Sequence, residues 1–136
     1  MTIMLVEDNI SYRRIVRDDL LSRFPSIKVI EASNGEEALK GLFFCPVDLI
    51  FMDISLPSQI GILLTKEIKL DNPNATVVML SGYNFDDYRR AALQSGASGF
   101  ICKDSMNVGE QVSTVVTCFR GAKKAGRLKP ACFLLS

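Results

Sequence analysis

Three carboxylates stand where two short apolar segments end. Thr2-Ile3-Met4-Leu5-Val6 runs straight into Glu7-Asp8, and Val47-Asp48-Leu49-Ile50-Phe51-Met52 ends in Asp53. Acids gathered in one place repel one another and raise their own pKa values unless a cation neutralises them. An all-oxygen cluster without histidine suits Mg²⁺, which keeps several waters and typically takes a phosphate as a further ligand. Two later segments end in groups that bind phosphoryl oxygens. Ala75-Thr76-Val77-Val78-Met79-Leu80 ends in the hydroxyl of Ser81, with Gly82 beside it, and Ser98-Gly99-Phe100-Ile101-Cys102 ends in the ammonium of Lys103. Taken alone, Ser81-Gly82 is an ordinary turn and a strand-end lysine is usually just solvated. Together the five groups describe a site for a metal and a phosphoryl group.

Such a site needs elements that bring the segment ends to one edge. A run as short and apolar as 47–53 reads as a strand buried on both faces, which is the habit of a parallel sheet. Parallel sheets bind ligands at the carboxyl ends of their strands, where strand order reverses. The chain alternates strand and helix patterns throughout, so the expected class is α/β. Strands are expected over about 2–6, 27–31, 48–52, 76–80 and 99–102, and helices over about 10–23, 35–43, 61–71, 84–95 and 106–120. Asn9 is a suitable N-cap for the first helix, with Ile15, Val16, Leu20 and Phe24 on its apolar face and Pro25 as its stop. Ser33-Asn34-Gly35 makes a turn and cap before the second helix, and Gly96 ends the fourth.

These stretches, in this order, resemble the receiver domain of two-component response regulators. The resemblance rests on Met4-Leu5-Val6-Glu7-Asp8-Asn9, on Asp48 through Asp53 with Pro57 and Gly61, on Leu80-Ser81-Gly82, and on Gly96 through Asp104. It covers residues 2 to about 120. Gly-Phe-Ile-Cys-Lys-Asp-Ser from Gly99 resembles the receivers of DNA-binding regulators that carry a C-terminal helix-turn-helix. The resemblance implies a flavodoxin-like, doubly wound fold with five helices around a five-stranded parallel sheet of order 2-1-3-4-5. It further implies that Asp53 is the phosphoacceptor. Asp8, Glu7, Asp53 and the backbone carbonyl of Ser55 would hold Mg²⁺. Lys103 would pair with the phosphoryl oxygens, or with Asp53 at rest. Ser81 would turn toward the phosphoryl group, and Phe100 would follow it as a rotameric switch. Phe100 stands where many relatives have tyrosine, Asp104 where proline is common, and Ile60 where an acid or amide is frequent. Ser55 and Tyr83 would flank the pocket and tune access of the hydrolytic water.

Composition narrows the alternatives. The chain has 136 residues and 48% hydrophobic residues, enough for one domain with a true core. No histidine is present, which excludes a Ser-His-Asp or Cys-His set and places any phosphohistidine on a partner. Cys45, Cys102, Cys118 and Cys132 lack CxxC spacing and read as buried thiols in a reducing cytosol. With no spanning segment and no signal peptide, the expected location is cytoplasmic. Net charge is +1, and Lys123, Lys124, Arg127 and Lys129 all fall within 122–136, which leaves −3 for residues 1–121. A body of that sign is a poor DNA binder by itself. The receiver is therefore expected over 1–121, followed over 122–136 by a basic and apolar tail, a docking segment or, the favoured reading, a truncated linker to an output domain.

The leading expectation is a signalling switch that takes a phosphoryl group from a sensor histidine kinase onto Asp53 with Mg²⁺. A partner or a second copy would meet the helices of about 84–95 and 106–120. The first rival is a receiver-like interaction module that is not phosphorylated, for which an intact Asp8, Asp53, Ser81 and Lys103 would be superfluous. The second is an enzyme. A flavodoxin needs a hydroxyl- and glycine-rich phosphate loop after the first strand, where this chain has Glu7-Asp8-Asn9. A phosphatase of the Asp-x-Asp kind needs an acid where this chain has Ser55.

Overall fold

The computed structural model describes residues 1–55, 61–82, 86–103, 108–124 and 133–134. Strands β1 (Thr2–Val6), β2 (Lys28–Ala32), β3 (Leu49–Asp53), β4 (Thr76–Ser81), β5 (Gly99–Cys102) and β6 (Phe133–Leu134) alternate with helices α1 (Ile10–Arg23), α2 (Gly35–Phe44), α3 (Gly61–Asp71), α4 (Asp86–Gln94) and α5 (Val108–Lys124). The sheet runs β2-β1-β3-β4-β5-β6, with every neighbouring pair parallel. The first five strands and five helices form the expected flavodoxin-like sheet of order 2-1-3-4-5.

The central strands β1, β3 and β4 are largely apolar on both sides because helices cover both faces. Side chains alternate across a strand, so each strand feeds two cores. Met4, Val6, Ile50, Met52, Val77, Met79 and Phe100 pack with Ala38 of α2, Leu64 and Ile68 of α3 and Ala92 of α4. Ile3, Leu5, Leu49, Phe51, Val78, Leu80 and Ile101 pack with Val16 and Leu20 of α1 and Val112, Val115, Val116 and Phe119 of α5. Full burial of one such side chain contributes about 1.5–3 kcal/mol, so the central strands anchor the fold.

Local chemistry fixes the helix ends. The Asn9 side chain accepts from the Tyr12 N–H at 3.0 Å. Asn34 caps α2 by accepting from Glu37 N–H, while the Glu37 carboxylate accepts from Ser33 N–H. Gly96 ends α4 at φ 106°, a left-handed backbone that favours glycine. The Asp48 carboxylate accepts from Thr2 N–H at 2.8 Å and pins the start of β1.

Several details differ from the sequence reading. Ile15, expected on the apolar face of α1, is exposed, because the buried stripe passes through Val16 and Leu20. Cys118 is exposed rather than buried, and Cys45 and Cys102 are half-buried. α5 runs across the expected boundary at 121/122 as far as Lys124, with Ala122 buried. The apolar end of the expected tail supplies β6, two residues that are too short for a periodicity signal. Pro57, Ile60, Tyr83, Asp104 and Cys132 lie outside the described residues. Among the described residues no helix is long and apolar enough to cross a membrane.

Candidate functional site

The carboxyl ends of β1, β3, β4 and β5 are tied together by backbone bonds. Ile54 N–H donates to Leu80 C=O at 3.0 Å, and Lys103 N–H donates to Ser81 C=O at 2.7 Å. Glu7 N–H donates to Ala32 C=O, so the β1 end is braced by β2 as well. Asp53 and Ser81 are the last residues of their strands, where the sequence reading placed each just beyond.

Glu7, Asp8 and Asp53 each offer a carboxylate oxygen within 4.8 Å of the other two. Glu7 and Asp53 are buried, whereas Asp8 is exposed at the rim. Lys103 reaches into this cluster. Its Nζ lies 2.5 Å from Glu7 Oε1 and 3.2 Å from Asp53 Oδ2. The pairing with Asp53 was anticipated, but the closer contact with Glu7 was not. Burial pushes the Glu7 carboxyl up to about 8, the nearby Asp53 carboxylate adds to the rise, and Lys103 opposes it. Glu7 Oε2 is buried without a hydrogen-bond partner among the described residues. A hard cation between the carboxylates would satisfy that atom and relieve the repulsion, so the donor set fits Mg²⁺.

Ser55 N–H donates to Asp53 Oδ1 at 3.1 Å, which orients the carboxylate. Ser81 is buried beside Met79 and shares its face of β4, the face that packs against α4. Phe100 is fully buried in the same core, and the Arg89 guanidinium of α4 lies 5.5 Å from its ring centroid.

Two features were missed by sequence reasoning. The Tyr12 ring lies 4.8 Å from Lys103 Nζ and gives the ammonium an aromatic flank. Arg13 donates to Glu7 C=O at 2.8 Å and to Ser33 Oγ, and its Nε meets Glu31 at 2.9 Å. Arg17 binds the other Glu31 oxygen at 2.9 Å. This network holds the β1 end from below. Its sequence signal was Glu31, an acid that follows Val29 and Ile30 within β2.

The family model described as the response regulator receiver domain matches residues 3–112. The protein-glutamate methylesterase/protein-glutamine glutaminase of Desulfotalea psychrophila is 42% identical over 107 residues, spanning 76% of this chain and 29% of that protein. The chemotaxis protein CheY of Halobacterium salinarum is 32% identical over 117 residues, spanning 85% of this chain and 96% of that protein. A solved two-component response regulator of the LuxR family from an Aurantimonas species is 29% identical, with a TM-score of 0.78 over 88% of this chain and 85% of that one. The chain thus covers less than a third of the methylesterase but nearly all of the chemotaxis protein. Since the family match spans most of the folded sheet, including both acidic strand ends and the lysine, the chain belongs to the response regulator receiver domain family.

Proposed function

We propose that this chain is a cytoplasmic signalling switch that accepts a phosphoryl group on Asp53 from a sensor histidine kinase. The observation that carries this reading is the buried Asp53 carboxylate at the end of β3, 3.2 Å from Lys103 Nζ and gathered with Glu7 and Asp8. One carboxylate oxygen of Asp53 would attack the phosphorus of the donor phosphohistidine. The P–O bond forms as the P–N bond breaks, the imidazole leaves, and an acyl phosphate remains. Such a transfer depends mainly on positioning and charge neutralisation. Ser55 N–H orients the attacking carboxylate. Lys103 is close enough to exchange its Glu7 and Asp53 contacts for a phosphoryl oxygen.

Glu7, Asp8 and Asp53 would hold Mg²⁺, with the Ser55 carbonyl as a further oxygen. The ion, when bound, would neutralise charge on the phosphoryl oxygens. Ser81 and Phe100 lie on the α4 side of the sheet, which supports a path from the phosphoryl group through the Ser81 hydroxyl to the ring. Phosphorylation would then bias the surface of α4 and α5 toward a partner or a second copy. The acidic body does not favour specific DNA binding by this chain alone. The test is chemical trapping after incubation with acetyl phosphate and Mg²⁺. Borohydride reduction should convert residue 53 to homoserine. Reduction at another acid would move the acceptor elsewhere.

A further inference from the structure

Without residues 133–134, β5 would be the edge of the sheet. An edge strand presents a row of unpaired backbone N–H and C=O groups to any extended chain. Here that edge is taken. β6 pairs in parallel with β5, matching Gly99 with Phe133 and Phe100 with Leu134. The pairing is a natural outcome of the topology. α5 returns the chain to the level where β5 begins, so a following strand arrives parallel, as in the four preceding β-α-β units. The segment Ala131-Cys132-Phe133-Leu134-Leu135 has the uncharged, apolar composition that adds to a sheet.

We propose that the outer edge of β5, flanked by α4 and α5, is a strand-acceptor surface for an extended apolar segment. Its resident occupant is the chain's own Phe133–Leu134. The site is specific because it includes the backbone of Phe100, whose ring packs beneath Arg89 of α4. A partner or second copy that used α4, β5 and α5 together would have to displace this strand. That consequence rests on the switching function proposed above, whereas the strand pairing does not. Movement of Phe100 and release of β6 would then be linked, each favouring the other to the same degree.

The experiment compares hydrogen exchange of the full chain with that of the full-length double variant Phe133→Pro and Leu134→Pro, both unphosphorylated. Proline removes the backbone donors of β6 and bars it from the ladder. Alternate amides of Gly99–Cys102 should exchange about ten-fold faster or more in the variant, with β1 and β3 unchanged. A synthetic peptide of residues 130–136, added in excess, should restore their protection. Unchanged β5 exchange, or an equal acceleration across all strands, would overturn the proposal. Acetyl phosphate labelling of the same two proteins separates the readings. Labelling at Asp53 without any β5 difference sinks the strand acceptor alone, and a β5 difference without labelling sinks the phosphoacceptor alone.

Discussion

Gly61 is the position where the site leaves least room. A Cβ built there would lie 2.3 Å from the Asp53 carbonyl oxygen, 2.9 Å from Ile54 Cα and 3.1 Å from the Asp53 carbonyl carbon. Favourable contacts between carbon atoms begin near 3.5 Å. All three neighbours are backbone of a buried strand end, so no side chain can rotate away. Gly61→Ala must therefore push the start of α3 off β3. Overpacking of this kind costs about 1–3 kcal/mol, and with backbone neighbours the upper half of that range applies. The same shift stretches the 2.7 Å bond from Gly61 N–H to Ile54 C=O, which adds about 1 kcal/mol. The better helix propensity of alanine returns less than about 1 kcal/mol, so destabilisation wins by about 2–3 kcal/mol. At about 3–4 °C per kcal/mol for a chain of this size, Tm should fall by roughly 6–12 °C. Thermal unfolding followed by circular dichroism measures this, with Gly121→Ala as the control. Gly121 is exposed within α5 with no atom within 4 Å of its built Cβ, so that change should stabilise by about 0.5–1 kcal/mol. A Gly61→Ala chain that melts within about 2 °C of wild type would refute the close approach of α3 to the Asp53 backbone.

Asp8→Asn should weaken Mg²⁺ binding. Removing one unit charge that faces a divalent ion at an exposed site loses at least about 2 kcal/mol of attraction at a water-like dielectric, or roughly thirty-fold or more in Kd by isothermal titration calorimetry. An unchanged Kd would move the ligand role to other groups. Burial pushes the Glu31 carboxyl up, but Arg13 and Arg17 more than offset this and hold it below the ordinary range. A depressed carboxyl contributes stability that is present above its unfolded pKa of about 4.3 and is lost as pH falls through the folded value. Urea midpoints should therefore drop more steeply with acid below about pH 4.3 in wild type than in Glu31→Gln, and parallel curves would remove Glu31 from the bracing network.

The sequence made the strand ends legible because burial on both faces leaves nothing but apolar residues until the chemistry begins. Glu7, Asp53, Ser81 and Lys103 each interrupt such a run, and the parallel order follows from helices lying between the strands. What the sequence hid were contacts that depend on where a helix face points. Arg13 and Arg17 look like ordinary solvated charges on α1 until β2 brings Glu31 beneath them. Tyr12 reads as a neutral surface aromatic until Lys103, 91 positions later, lies over its ring. Ile15 looked like core because it neighbours Val16, yet one step around a helix turns a side chain by about 100°, enough to carry it into solvent. Lys103 was expected to face Asp53, but nothing in the spacing of residues shows that Glu7 lies nearer. β6 was invisible for a different reason. Two residues carry no period, and only an open edge beside them makes a strand.

In the function proposed above, the carboxylate of Asp53 receives a phosphoryl group in a metal-dependent step. Intact-mass spectrometry of the chain, incubated with acetyl phosphate in the presence of Mg²⁺ or of excess EDTA, tests it most directly when Asp53→Asn is run beside wild type. Wild type should gain one phosphoryl group with Mg²⁺ and none with EDTA, and Asp53→Asn should gain none under either condition. Equal labelling of wild type and Asp53→Asn, or labelling of wild type that EDTA leaves intact, would contradict it.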